Sequence, residues 1–151
     1  GTEIGVTEPE ATFSACFGEP FMPMHPGVYA DLLSDKMAEH GATAWLINTG
    51  WSGGSYGVGK RMKIKYTRAM LNAALDGELD DVEYAFDERF GFEIPTSCEG
   101  VPAEILIPKQ TWADGADYDV MADKLATMFN KNFERYSEGV SEEVNSAAPQ
   151  C

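Results

Sequence analysis

The run Gly50-Trp51-Ser52-Gly53-Gly54-Ser55-Tyr56-Gly57-Val58-Gly59 constrains the fold most, because five glycines so close together make a loop rather than a packed element. Lys60, Arg61, Lys63, Lys65 and Arg68 follow it at once. The whole chain holds 11 Lys and Arg against 25 Asp and Glu, a net charge of -14, so nearly half of its positive charge sits in this island. Backbone N–H groups stripped of side chains and backed by fixed cations suit a phosphate or carboxylate ligand. A plain glycine turn between strands is the alternative reading.

At 151 residues and 44% hydrophobic, the chain has enough material for one packed core, and one domain or part of one is expected. The negative charge argues against nucleic acid and anionic membrane surfaces as partners, since both reward cations. No apolar run approaches the roughly 20 residues needed to span a bilayer, and the N-terminus has no charged segment leading into an apolar one. A soluble protein is expected. Cys16, Cys98 and Cys151 are unpatterned, which fits a reducing compartment better than a disulfide framework. The chain begins Gly1-Thr2-Glu3 without an initiator Met, as a processed chain or a piece of something longer would.

Residues 1–24 show no sustained period and read as loop with short extended pieces. Pro26 opens a predicted helix with apolar positions Tyr29, Leu32, Leu33 and Met37 and a stop at Gly41. Thr43-Ala44-Trp45-Leu46-Ile47-Asn48 reads as a buried strand feeding the glycine loop. Met62, Ile64 and Tyr66 alternate with lysines as a short strand would, and Thr67 then caps a helix with a Met70, Leu71, Ala74, Leu75 stripe closed by Gly77. Val82, Tyr84 and Phe86 suggest a polar-faced strand in an acidic run. The runs 90–95 and 101–108, both punctuated by Pro, suit edge strands or extended connections. A long amphipathic helix carries Tyr118, Met121, Leu125, Met128, Phe129, Phe133 and Tyr136, with Asp117 capping or preceding it. Beyond Ser137 a frayed tail is expected. The division is residues 1–24 as an entry segment, 25–138 as the body and 139–151 as a flexible tail.

Gly54 to Lys60 fits the start of the phosphate-loop pattern GxxxxGK, but Arg61 stands where a Ser or Thr hydroxyl should meet magnesium. That pattern also joins a strand directly to a helix, whereas a second strand intervenes here. His25 and His40 lack a third ligand at metal spacing and read as structural. Cys16, among apolar neighbours, reads as buried and inert. Asp80/Asp81 and Glu142/Glu143 read as solvated faces rather than acid–base pairs.

Thr12-Phe13-Ser14-Ala15-Cys16-Phe17-Gly18, Glu8-Pro9, His25-Pro26, Asn48-Thr49-Gly50-Trp51, Gly59-Lys60-Arg61 and Thr67-Arg68, with Gly1-Thr2-Glu3, closely resemble ATP-dependent phosphoenolpyruvate carboxykinase. The resemblance runs from Gly1 to about Tyr136 and covers only the C-terminal portion of that longer family. It implies an α/β fold of two lobes with the active site between them, this chain being the C-terminal part of the nucleotide-binding lobe, with mixed short strands and a long C-terminal helix. It implies a cytoplasmic, gluconeogenic enzyme that converts oxaloacetate and ATP to phosphoenolpyruvate, CO2 and ADP, with Mg2+ and Mn2+ as metal cofactors. Gly1, Thr2 and Glu3 would belong to a lid that keeps water from the reacting groups. The family's adenine and ribose contacts fall on Arg61, Met62 and Thr67, and Phe21 corresponds to an aromatic residue near the substrate pocket.

Ile4 replaces an Arg found in some members. The family's phosphate loop, metal-holding residues and substrate-gripping cations lie upstream and have no counterpart here. The isolated piece is therefore expected to be inactive, since phosphoryl transfer needs metal, phosphate donors and in-line geometry together. Two other readings stand beside it: a non-catalytic nucleotide- or anion-binding module, and a structural piece whose apolar faces were shaped to cover missing chain.

Overall fold

The computed structural model describes residues 4, 5, 7, 11–16 and 18–151, so the lid assignment of Gly1, Thr2 and Glu3 lies outside the described residues. The chain divides into two compact units, Gly1–Thr43 with Lys131–Ser146 and Ala44–Asn130 with Ala147–Cys151. Each unit is assembled from segments far apart in sequence. That is why no linker composition marks the boundary and why one domain was the expectation from composition.

In the first unit, α1 spans Pro26–His40 within the predicted bounds. Its start is tied by His25, whose Nδ1 accepts from the Gly27 N–H at 3.1 Å, and its end by Gly41 in the left-handed region at φ 60°. Leu32 and Leu33, two members of the predicted apolar stripe, are 55% and 61% exposed, whereas Gly27 is the helix's buried residue. A single 3-10 turn, Glu19–Phe21, precedes it. The Glu19 carboxylate accepts from Ser14 Oγ at 2.6 Å and Ala15 N–H at 3.2 Å and meets Arg135 at 3.3 Å. The Ser14 hydrogen bond first, then that of Ala15, holds Glu19 below the usual carboxylate range. Cys16 is exposed rather than buried, its Sγ 3.1 Å from Met22 Sδ, because this irregular segment has no packed face on which to hide a thiol. Past Ser137 the chain forms α5, Glu142–Ser146.

The second unit carries two antiparallel hairpins, β1 (Trp51–Ser52) with β2 (Lys60–Arg61), and β3 (Tyr84–Asp87) with β4 (Phe92–Pro95). The second confirms the alternation at 84 and 86 and the strand read in 90–95. Its turn is closed by Asp87 Oδ1, which accepts from the N–H groups of Arg89 and Phe90, and by Gly91 at φ 70°. Between the hairpins α2 runs Ile64–Leu75, so Ile64 and Tyr66 are helical rather than extended, and Lys63 rather than Thr67 occupies the N-cap. A five-residue alternation is too short to outweigh the helical stripe that continues through Tyr66, Met70, Ala73 and Ala74.

The close of α2 follows the expectation. Asp76 N–H donates to Asn72, Glu78 N–H donates to the Ala73 carbonyl at 2.9 Å, and Gly77 between them stands at φ 75°. This double closure satisfies the last carbonyls and needs a glycine at the left-handed position. The segment 101–108 gives a single bridge, Cys98 with Val101, then the short helix α3, Ala103–Leu106, instead of an edge strand. Proline at 102 supplies the start of that turn rather than breaking a ladder.

The helix α4 spans Gly115–Phe133, and Asp114, not Asp117, caps it by accepting from Ala116 N–H at 2.8 Å. Residues 43–48 are not in a strand, and among the described residues no neighbouring strand pairs with them. The final residues are tied in: Gln150 N–H donates to the Arg89 carbonyl at 2.7 Å, and Asn130 Nδ2 donates to Pro149 at 2.9 Å. Short antiparallel strands interleaved with helices make this the mixed α/β piece expected.

The core cluster of this unit is small. Ala73, Leu79, Cys98 and Leu106 are buried, with Trp45, Met70, Ala74 and Val101 packed against them. On α4 the buried positions are Ala122 and Ala126, not the predicted Met121, Leu125 and Phe129, which are 38%, 37% and 43% exposed. The same inversion holds in α2, where Ala73 points in while Leu71 and Leu75 of the predicted stripe are 45% and 76% exposed. Charged pairs tie α4 to its neighbours: Arg89 Nε, in the turn of the second hairpin, donates to Asp123 at 2.6 Å, and Lys109 Nζ, in the 3-10 turn Pro108–Thr111, reaches Asp119 at 2.7 Å. The Lys109 hydrogen bond lowers the Asp119 pKa below the usual carboxylate range.

Two outcomes follow from these contacts. Gly77→Ala places a Cβ at a left-handed position 3.3 Å from Asp80 Oδ2 and should cost about 1–2 kcal/mol in denaturant unfolding. Because the Asp119 pKa is lowered on folding, its stabilisation is present above the ordinary carboxylate range and is lost as pH falls through the lowered value. The melting-temperature gap between wild type and Asp119→Asn should therefore be open at about pH 6 and close toward about pH 3.

Candidate functional site

The glycine loop is the turn of the first hairpin. Trp51 pairs with Arg61 and Ser52 with Lys60, and Met62 N–H extends the pairing to the Gly50 carbonyl at 2.7 Å. The loop folds back on itself: the N–H groups of Val58 and Gly59 both donate to the Ser55 carbonyl, at 3.0 and 2.8 Å. That closeness is what requires glycine. A Cβ at Gly59 would run into the Gly54 carbonyl oxygen, and one at Gly53 would stand 2.8 Å from the Thr111 carbonyl. Gly54 is buried, so the loop is a tight turn packed on the unit rather than an open cradle.

Directly opposite in register, Trp51 and Arg61 meet as ring and cation, with the guanidinium carbon 6.0 Å from the ring centroid, and Tyr56 packs edge-on against Trp51 at 5.5 Å. A cation beside an aromatic face is a mutual attraction that also holds the guanidinium flat. Two residues on, α2 begins. Its N-cap Lys63 makes no capping bond with its side chain and no acidic residue stands in the first turn. Lys63 and Lys65 sit at this end of the helix, against the Tyr66 ring at 5.8 and 5.0 Å. A helix N-terminus already carries partial positive charge, so two lysines there oppose the dipole. Among the described residues Lys60, Arg61, Lys63, Lys65 and Arg68 form no ion pair, whereas Lys36, Arg89, Lys109 and Arg135 do. In a chain of net charge -14 this is a concentrated positive corner that pairs with no acidic side chain among the described residues.

Arg61 closes β2, Met62 follows it and Thr67 lies in the first turns of α2, Arg61 exposed, Met62 and Thr67 half-buried. Met62 has its N–H committed to Gly50, which leaves its carbonyl to accept from a ligand. Thr67 lies in the first turns of the helix, and among the described residues its hydroxyl has no partner. Phe21 lies in the first unit, 87% exposed, in the 3-10 turn Glu19–Phe21. The residue that motif reasoning missed is Trp51. Its pairing with Arg61 depends on hairpin register across a glycine-rich loop, and only the alternation of residues around that loop hints at it.

A separate cavity of about 540 Å3 opens near the end of α2, lined in part by Leu79, Cys98, Val101 and Ala103, and none of the corner residues borders it. Burial first, with help from Glu78 and Glu99, pushes the Cys98 thiol up, which makes it a poor nucleophile at neutral pH. Among the described residues no three His, Cys, Asp or Glu side chains gather as they would around a metal ion, so these residues offer no donor set for Mg2+ or Mn2+. The corner fits an anion that carries a flat ring: cations and a helix N-terminus for the charge, an arginine plane and a free carbonyl for the ring. No helix among the described residues is long and apolar enough to cross a membrane.

Two substitutions should separate architecture from binding. Gly59→Ala should destabilise the hairpin by about 1–3 kcal/mol, read as faster amide exchange at Val58 and Gly59. Arg61→Ala, at an exposed position without an ion pair, should leave unfolding free energy within about 0.5 kcal/mol of wild type.

The family model for phosphoenolpyruvate carboxykinase matches residues 1–104. Among curated proteins, the chain is 60% identical to phosphoenolpyruvate carboxykinase (ATP) of Geobacter metallireducens over 93% of this chain and 27% of that protein. It is 59% identical to the Brucella anthropi protein of that name over 99% of this chain and 28% of that protein. The Thermus thermophilus protein of the same name is 56% identical over 99% of this chain and 28% of its own length. The chain thus spans little more than a quarter of the length of these relatives.

Proposed function

The chain belongs to the phosphoenolpyruvate carboxykinase (ATP) family, and from that premise we propose that its β2–α2 corner is the adenine- and ribose-binding edge of an ATP-dependent carboxykinase. The activity is that of the whole enzyme: oxaloacetate and ATP give phosphoenolpyruvate, CO2 and ADP, in the cytoplasm and in the service of gluconeogenesis. Residues 25–138 are part of the nucleotide-binding lobe, Gly1, Thr2 and Glu3 belong to its lid, and Phe21 lies toward the substrate pocket. Arg61 lays its guanidinium along the base, the Met62 carbonyl accepts from the exocyclic amine, and Thr67 contacts the ribose. The metals and phosphate donors come from sequence outside this chain, so the 151-residue piece alone is inactive.

The observation that supports this reading is the positive corner at Arg61, set against the Trp51 ring and without an ion pair among the described residues, in a strongly acidic chain. The same corner favours the second reading, a module that binds a nucleotide or simple anion without chemistry. One pair of proteins separates them. The Geobacter relative's upstream portion joined to this chain should decarboxylate oxaloacetate with ATP, and Arg61→Ala should raise its KM for ATP about tenfold or more, with a smaller change in kcat. Turnover by the 151-residue chain alone, or an unchanged KM in the variant, would overturn the assignment. ATP titrated into the isolated chain tests the module: binding that disappears with Arg61→Ala, without turnover in the joined protein, favours it.

A further inference from the structure

The proposed nucleotide corner uses Arg61, Met62 and Thr67 but not the glycine loop before them. That loop is built too tightly to cradle an anion: the N–H groups of Val58 and Gly59 already donate to the Ser55 carbonyl, at 3.0 and 2.8 Å, and Gly54 is buried. What it brings to the corner is aromatic. The chain enters the loop after Trp51, carries Tyr56 within it and returns into Lys60 and Arg61.

Register decides which side chains meet. Met62 N–H donates to the Gly50 carbonyl, so residues 50 and 62 form a hydrogen-bonded pair and the neighbouring pair, Trp51 with Arg61, is a non-hydrogen-bonded one. Side chains approach most closely at such pairs, where the Cα atoms stand about 4.5 Å apart. Trp51 and Arg61 thus share one face of the hairpin, with the guanidinium carbon 6.0 Å from the ring centroid. Tyr56 meets the same indole edge-on, its ring centroid 5.5 Å away at an interplanar angle of 79°. A tyrosine edge supports the indole, and the indole supports the cation.

Arg61 needs such a support. It is exposed, and among the described residues it forms no ion pair, so no carboxylate fixes its long side chain. An arginine that is ordered only when its ligand arrives loses affinity to that ordering. An aromatic ring beside the guanidinium removes part of the cost in advance, and the exposure of Arg61 leaves the other side of the cation open to a ligand.

We propose that Trp51, buttressed by Tyr56 from the glycine loop, is a positioning residue for Arg61: it pre-orders the guanidinium for the adenine ring and acts on nucleotide affinity only through that cation. The proposal rests on the reading of Arg61 as the base contact. It also gives the loop a purpose other than anion binding, since glycines let the chain reverse within a few residues and so return Tyr56 to Trp51.

A double-mutant cycle tests it in this chain joined to the upstream portion of the Geobacter relative. Trp51 is 47% exposed, so Trp51→Leu opens no core cavity; it keeps apolar bulk and removes the ring. KM for ATP should rise about 2- to 5-fold in that variant, with kcat within about twofold of wild type. In an Arg61→Ala background the same substitution should have no further effect on KM, because no cation is left to position. Trp51→Tyr, which restores a ring, should recover most of the loss. An equal rise in both backgrounds would make Trp51 a general support of the hairpin and overturn the proposal, as would an unchanged KM in Trp51→Leu. An unchanged KM in Arg61→Ala alone would sink the functional reading and the positioning role with it; a raised KM there without coupling to Trp51 would sink the positioning role alone. The geometry also has a readout that needs no turnover. In NMR spectra of the 151-residue chain, the Arg61 side-chain protons should be displaced by the indole ring current, and Trp51→Leu should abolish the displacement. Its absence from the unsubstituted chain would overturn the proposal even where the joined protein fails to fold.

Discussion

Ala73, 3% exposed at the centre of the cluster with Leu79, Cys98 and Leu106, lets α2 approach the rest of its unit closely, and much else hangs on that approach. A small side chain at the contact brings the helix axis near its neighbours, as alanine and glycine do wherever helices pack tightly. Ala122 and Ala126 are the buried positions of α4. The Schellman-type close at Gly77 fixes where α2 ends, and the second hairpin starts from there. At the other end α2 begins just after β2, which sets Arg61, Met62 and Thr67 along one short stretch of chain.

Choosing alanine for the inner faces has an energetic corollary. A buried alanine removes little apolar area from water, so the cluster yields only modest hydrophobic stabilisation for its size. The larger residues of the same helices, Leu71 and Leu75 in α2 and Met121, Leu125 and Phe129 in α4, are left with water on them. Charge contributes where apolar burial is thin. Arg89 is drawn to Asp119 and Asp123 between the second hairpin and α4; burial works most strongly against its charge, but the Asp123 hydrogen bond and the attraction of Asp123, Asp119 and Tyr118 together outweigh it and hold its pKa above the usual arginine value. Such part-exposed pairs orient elements more than they stabilise them.

Several elements were legible because their signals are local. α1 begins at Pro26 and stops at Gly41 since ring geometry and a left-handed φ act within a few residues. The strands at 84–87 and 92–95 show their period, and the long helix shows its spacing. Cys16, Asp117 and the Met62 to Tyr66 stretch were misread for the opposite reason. Whether a thiol is covered, which of two aspartates turns back to cap, and whether a short alternation stays extended depend on neighbours that sequence spacing does not reveal. The helix stripes show the same limit: spacing finds apolar positions, but Ala73 rather than Leu71 faces inward because of what lies across the contact.

The sequence by itself determined the positive corner, since the order of glycines and cations places charge and backbone together whatever the fold. It also determined the family, through motifs that stand next to one another in the chain. Only the tertiary structure decided that Trp51 stands against Arg61, that Met62 has spent its N–H on Gly50, and that Leu71 and Leu75 of α2 and Met121, Leu125 and Phe129 of α4 are left exposed while alanines are buried. These are consequences of register and of which face meets which, and both are settled by long-range packing rather than by any property of a residue and its immediate neighbours.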